Sequence, residues 1–253
     1  MTHPVVIKAS KLIQAGDISG AETALTAIAD EEGDEALVAV LEDVPAKDLL
    51  AVMRGFDGSK QSVVNMLVTP EQFARAVVLE ARYRDKTHAA LHGMMNAVLF
   101  REEDMAAEYL EAIGETEGGY EALVNYFGDR DEEVLEFAMT GVFAEEYEEG
   151  HQGHARSITW LSEKIDEIDE ALHDGDAITA ARPKVSRSDI ADHDWQETAW
   201  VLRHELPDIF EQVVISLRDR MQRQIEALEE ALAQAATRKP TAADEDDNEE
   251  SAL

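Results

Sequence analysis

The sequence predicts an all-α protein. A solenoid-like helical repeat domain is expected over 1–150, a helical bundle or coiled-coil region over 151–236, and a disordered acidic tail over 237–253. Three observations predict this. Apolar residues recur at helical spacing along most of the chain, and no run alternates with the period of two that a half-buried strand requires. Alanine is abundant while aromatics make up only 6% of residues, a composition suited to close helix packing rather than a β-sandwich core.

A first helix is expected from Pro4 to Ala15, closed by Gly16. Ser19 followed by Glu22 reads as a capping box opening a second helix, with Ala21, Ala24, Leu25 and Ile28 inward. Asp34 is expected to cap a third helix bearing Leu37, Val40, Leu41 and Val44. Pro45 suits the first turn of a fourth, which carries Leu49, Leu50, Met53 and Phe56. Asp57-Gly58-Ser59 then turns the chain into a short fifth helix. Thr69-Pro70-Glu71-Gln72 combines a cap, an N1 proline and a side chain that reaches back, so it starts a sixth.

Residues 17–56 align with 102–143 as an internal near-repeat. Leu25 falls on Leu110, Ile28 on Ile113 and Gly33 on Gly118, and Glu35-Ala36-Leu37-Val38 falls on Glu121-Ala122-Leu123-Val124. A duplication of this kind would stack two helical units, before and after residue 85. The run Gly114–Gly119 is too acidic to cradle phosphates and reads as a hinge between helices.

Past Gly150 the pattern changes. Ile158, Leu161, Ile165, Ile168 and Leu172 are spaced three and four apart, a coiled-coil seam. A helix from Asp189 to Glu205 carries Trp195 and Trp200, and Pro207 begins a long helix to Ala236. Its seam is Phe210, Val214, Leu217, Met221, Ile225, Leu228, Leu232 and Ala235. Thirty residues make about 45 Å of helix, longer than a small domain is wide, so part of this seam is expected to lack cover.

Charge bounds the environment. Fifty-five acidic residues against twenty-two Lys and Arg give a formal net charge of -33, and only eight of those cations are lysine. Such self-repulsion is costly at low ionic strength. In molar salt the Debye length falls to about 3 Å and a carboxylate-rich surface keeps a protein hydrated. The expected setting is the high-salt cytoplasm of a halophilic archaeon, or a virion of its virus. The same charge argues against a nucleic-acid backbone as partner. No stretch has the apolar length of a membrane span, and Met1 to Ala15 lacks the pattern of a signal peptide.

Candidate chemistry is sparse. With no cysteine there is no thiolate ligand or thiol nucleophile, and there is no Gly-x-Ser-x-Gly, P-loop or dinucleotide fingerprint. His151 and His154 with Glu148 upstream form a weak candidate metal cluster, the basis of a metal-dependent enzyme alternative. His88 and His92 lie one turn apart beside an apolar stripe. The adjacent His193-Asp194 reads as first-turn capping. Arg182, Lys184, Arg187, Arg203, Arg218, Arg220 and Arg223 make a basic C-terminal third, suited to intrachain pairing or to an acidic partner.

The proline-started helices of 34–84 resemble the superhelical acidic regulatory domain of magnesium channels. The likeness is confined to that stretch and rests on no chemical motif, and the channel's membrane portion has no counterpart in the sequence. The functional expectation is therefore a non-enzymatic interaction, scaffold or assembly protein without a cofactor. It would be homo-oligomeric or bound to protein partners through Ile158, Leu161, Ile165, Ile168, Leu172, Phe210, Val214, Leu217, Met221, Leu228 and Leu232. A virion component or virus-assembly chaperone is the more specific form of that expectation.

Overall fold

The computed structural model describes residues 2–56, 62–83, 89–101, 105–128, 130–143, 163, 165–167, 183 and 190–237. Every long regular element among them is an α-helix. In chain order these are α1 (Pro4–Gln14), α2 (Ile18–Glu32), α3 (Asp34–Glu42), α4 (Ala46–Gly55), α5 (Val63–Leu67) and α6 (Pro70–Tyr83). There follow α7 (Ala89–Leu99), α8 (Ala106–Glu115), α9 (Gly119–Tyr126), α10 (Asp131–Thr140), α11 (Ile190–Glu205) and α12 (Pro207–Thr237).

The start of α6 is built as its residues dictate. The Thr69 backbone N–H donates to Gln72 Oε1 at 3.1 Å, and the Gln72 N–H donates to Thr69 Oγ1 at 3.4 Å, a reciprocal capping box. The start of α2 differs from the Ser19–Glu22 box. Asp17 is the cap, accepting from the Gly20 N–H at 2.8 Å, because the helix begins at Ile18 and Ser19 already lies inside it. Glu22 instead accepts from the Thr26 and Ser62 hydroxyls. Pro45 stands at the cap position of α4 rather than in its first turn, and α3 begins at Asp34 behind Gly33 with no side-chain cap.

The near-repeat falls on two helix triplets in the same order, α2–α3–α4 and α8–α9–α10. The aligned glycines, Gly33 and Gly118, each precede the second helix of their triplet at positive φ, 96° and 88°. Only glycine adopts that backbone without strain, which explains the shared residue. Between the triplets runs α6, packed against α4 on one side and α8 and α9 on the other. Its Phe73, Ala74, Ala76 and Val77 are fully buried.

One hydrophobic cluster extends from Val6 of α1 to Ile225 of α12. The later helices therefore share the core of the earlier ones: α11 packs on α7, α8 and α10, and α12 packs on α9 and α10. The joint between them is a proline-interrupted helix. The Leu206 N–H reaches the Leu202 carbonyl at 3.1 Å and the Phe210 N–H reaches Leu206 at 3.0 Å, while Pro207 has no N–H to give the preceding turn.

Scarce cations are spent as staples between helices. Arg54 of α4 forms a two-pronged pair with buried Glu80 of α6 at 2.5 and 2.6 Å. Arg101 donates to the Asn65 carbonyl and the Tyr109 hydroxyl, and Tyr109 in turn donates to the Val68 carbonyl. Arg203 of α11 donates to the Phe137 carbonyl and lies over its ring. Arg220 of α12 donates to the Val124 and Gly128 carbonyls and to Asp131. A guanidinium suits this work because its forked donors satisfy several helix-end acceptors at once.

Candidate functional site

Among the described residues, the far end of α12 presents an exposed apolar stripe. Arg203 and Phe210 meet Phe137 near the C-terminus of α10, and Arg220 meets Asp131 at its N-terminus, so α12 runs antiparallel to α10 and continues past it. Ile225 is its last buried residue, and all ten residues from Glu226 to Ala235 are exposed. By helix rise, residues 226–237 project about 18 Å. Leu228 is 43% exposed and Leu232 61%, one turn apart, with Ala231 and Ala235 beside them. This stripe extends the buried one of Val214, Leu217, Met221 and Ile225 beyond the body that covers it.

The seam expected on α12 is thus divided. Phe210, Val214, Leu217 and Met221 are buried against the chain's own helices, because α9 and α10 supply the cover the sequence left open. They are core, and Leu228, Leu232 and Ala235 remain on the surface. In the other seam, Ile165 is 5% exposed and joins the core cluster. Ile158, Leu161, Ile168 and Leu172 lie outside the described residues, as do Glu148, His151 and His154. Among the described residues no group of three or more His, Asp or Glu is placed to hold a metal ion. Nor is any described helix long and apolar enough to cross a membrane.

A second feature is polar and buried. Tyr126 of α9 donates its hydroxyl to Asp194 Oδ2 of α11 at 2.9 Å and lies 3.3 Å from Thr198 Oγ1. All three residues are buried. From α7, the Asn96 amide and His92 also act on the Asp194 carboxyl, and the His92 ring tilts against Tyr126 with centroids 4.9 Å apart. Burial raises the Asp194 pKa, against the lowering influence of Tyr126, His92, the Trp195 backbone and Asn96. Burial also drives the Tyr126 phenol well above its usual range, with the nearby Asp194 charge adding to it. His92 Nε2 and Asn96 Oδ1 are buried without a hydrogen-bond partner.

Sequence reasoning missed this cluster. Asp194 is not a first-turn cap: α11 begins at Ile190, which places Asp194 a full turn inside the helix. A signal was present, since Asp194 and Thr198 are four residues apart between Trp195, Ala199, Val201 and Leu202, a polar pair within an apolar face. Of the basic C-terminal positions, Arg203 and Arg220 are bound across helices, Arg218 pairs with Asp219 at 3.1 Å and Arg223 donates to the Asp219 carbonyl, while Arg182, Lys184 and Arg187 lie outside the described residues. Trp195 is buried with its ring edge-on to Phe143 at 5.6 Å, which makes it a core lock.

No protein-family model matches this chain, and neither a curated protein nor a solved structure does.

Proposed function

We propose that this is a non-enzymatic interaction protein, adapted to high salt, that self-associates through the projecting end of α12. The observation that carries the reading is the run of ten exposed residues bearing Leu228 and Leu232 beyond the last buried turn. Two leucines one turn apart, flanked by alanines, are complementary to themselves: in an antiparallel pair each Leu228 faces the Leu232 of the second copy. The glutamates at 226, 229 and 230 would repel one another at low ionic strength, but molar salt screens them beyond about 3 Å.

Magnitude sets how strong such an assembly is. Covering each leucine contributes about 1–2 kcal/mol, so four of them contribute roughly 4–8 kcal/mol. Association also costs translational and rotational freedom, so the pair is weak and concentration-dependent rather than obligate. Light scattering of the full chain in molar KCl across a dilution series tests this. The expected mass rises toward a dimer as concentration increases, and Leu228→Glu with Leu232→Glu holds it at one copy with unchanged helicity. A wild-type mass that stays at one copy up to about 100 μM would remove the reading.

A further inference from the structure

The junction of α7, α9 and α11 holds a buried carboxyl without a lysine or arginine among the described residues named around it. Asp194 accepts from Tyr126, and the groups acting on it are His92 and Asn96 of α7 together with its own helix's Trp195 backbone. Glu197 of α11 adds negative charge near Tyr126. On the other elements packed against α11 the charges are paired or exposed, apart from the half-buried Glu132 and Glu136 of α10. Glu108, Glu111 and Glu115 of α8 are exposed, and Asp131 and Glu133 of α10 bind Arg220 and Arg130. Arg203 is bound to the Phe137 carbonyl, while Asp208 and Glu211 of α12 are exposed.

Asp194 Oδ2 accepts from Tyr126, while Asn96 Oδ1 and His92 Nε2 of α7 are buried without a hydrogen-bond partner. Asn96 Oδ1 can only accept. A protonated Asp194 brings a further donor into this junction, and it also removes a charge from a site where desolvation is expensive.

We propose that this junction is a proton-linked latch: seating α11 against α7 and α9 takes up a proton on the Asp194 carboxyl, so the α11–α12 arm is held more tightly as pH falls. The latch is independent of whether α12 has a partner. The direction follows from linkage. A carboxyl that holds its proton more tightly when folded costs nothing below its unfolded value of 3.8. It then destabilises increasingly as pH rises above that value, and levels off once the folded group is ionised.

The test compares full-length wild type with Asp194→Asn in molar KCl. Asparagine keeps an acceptor for Tyr126, supplies a permanent donor and carries no charge. Thermal unfolding midpoints and hydrogen exchange of the α11 amides are followed from about pH 4 to pH 8. The expected result is an advantage for Asp194→Asn that grows with pH and then levels off, with the protection of the α11 amides, taken relative to their intrinsic exchange rates, rising on acidification in wild type only. The carboxyl carbon shift of Asp194 in wild-type protein gives a readout that does not depend on the variant folding. It should titrate above the exposed aspartates. A constant offset between the two proteins, or an Asp194 carboxyl that titrates with the surface aspartates, would overturn the latch.

Discussion

The hydroxyl of Tyr126 joins α9 to α11, and its loss should be felt across that junction. Tyr126→Phe leaves Asp194 and Thr198 without their shared partner in a buried site, at a cost of about 1–3 kcal/mol by chemical denaturation. Arg54 makes a sharper case. Glu80 is almost completely buried, so Arg54→Ala would strand a carboxylate in the core. Breaking a buried pair costs about 3–5 kcal/mol, and the expected loss lies at or below the lower end because Arg54 itself is 39% exposed. Neither contact could be read from the sequence, since both join residues far apart along the chain. What was legible there was local: the Thr69–Gln72 box needs only four consecutive residues, and it formed as its spacing required.

At the scale of elements, helix existence was legible and helix junctions were less so. Apolar spacing located α1 to α6 because each buries one face, and that requirement writes itself into the period. Caps slipped by a residue or two where several acceptors compete, as Asp17, Ser19 and Glu22 do at the start of α2. The α8–α9 junction depends on a residue with no side chain. A Cβ on Gly119 would lie 1.6 Å from the Ile113 carbonyl oxygen, so the backbone itself would have to move. Gly119→Ala is expected to cost about 1–3 kcal/mol or more, read as a lowered unfolding midpoint. A junction in the stretch Gly114–Gly119 is legible in the sequence, but not which of its glycines fits tightly.

For the whole molecule, cover over the long C-terminal seam is uneven. The chain covers it from Phe210 to Ile225 and leaves it bare beyond. Periodicity could not draw that line, because buried and bare turns carry the same repeat; only the length and position of α9 and α10 set it. The acidic charge acts at the same scale. With a net -33, folding is expected to require salt, and helicity followed by circular dichroism should fall when KCl is dialysed to about 10 mM, where the Debye length reaches about 30 Å. Retention of full helicity there would show that repulsion among the carboxylates is balanced within the fold.

Because the chain has no cysteine, Ala231→Cys gives a single reactive thiol on the bare end of α12. Spin labels placed there report directly on whether two such ends meet in molar salt. Self-association through α12 predicts a short, well-defined distance between labels on separate copies, lost when Leu228 and Leu232 are both changed to glutamate. Labels that show only the featureless background of dispersed single copies, at concentrations where the leucines should be paired, would contradict it.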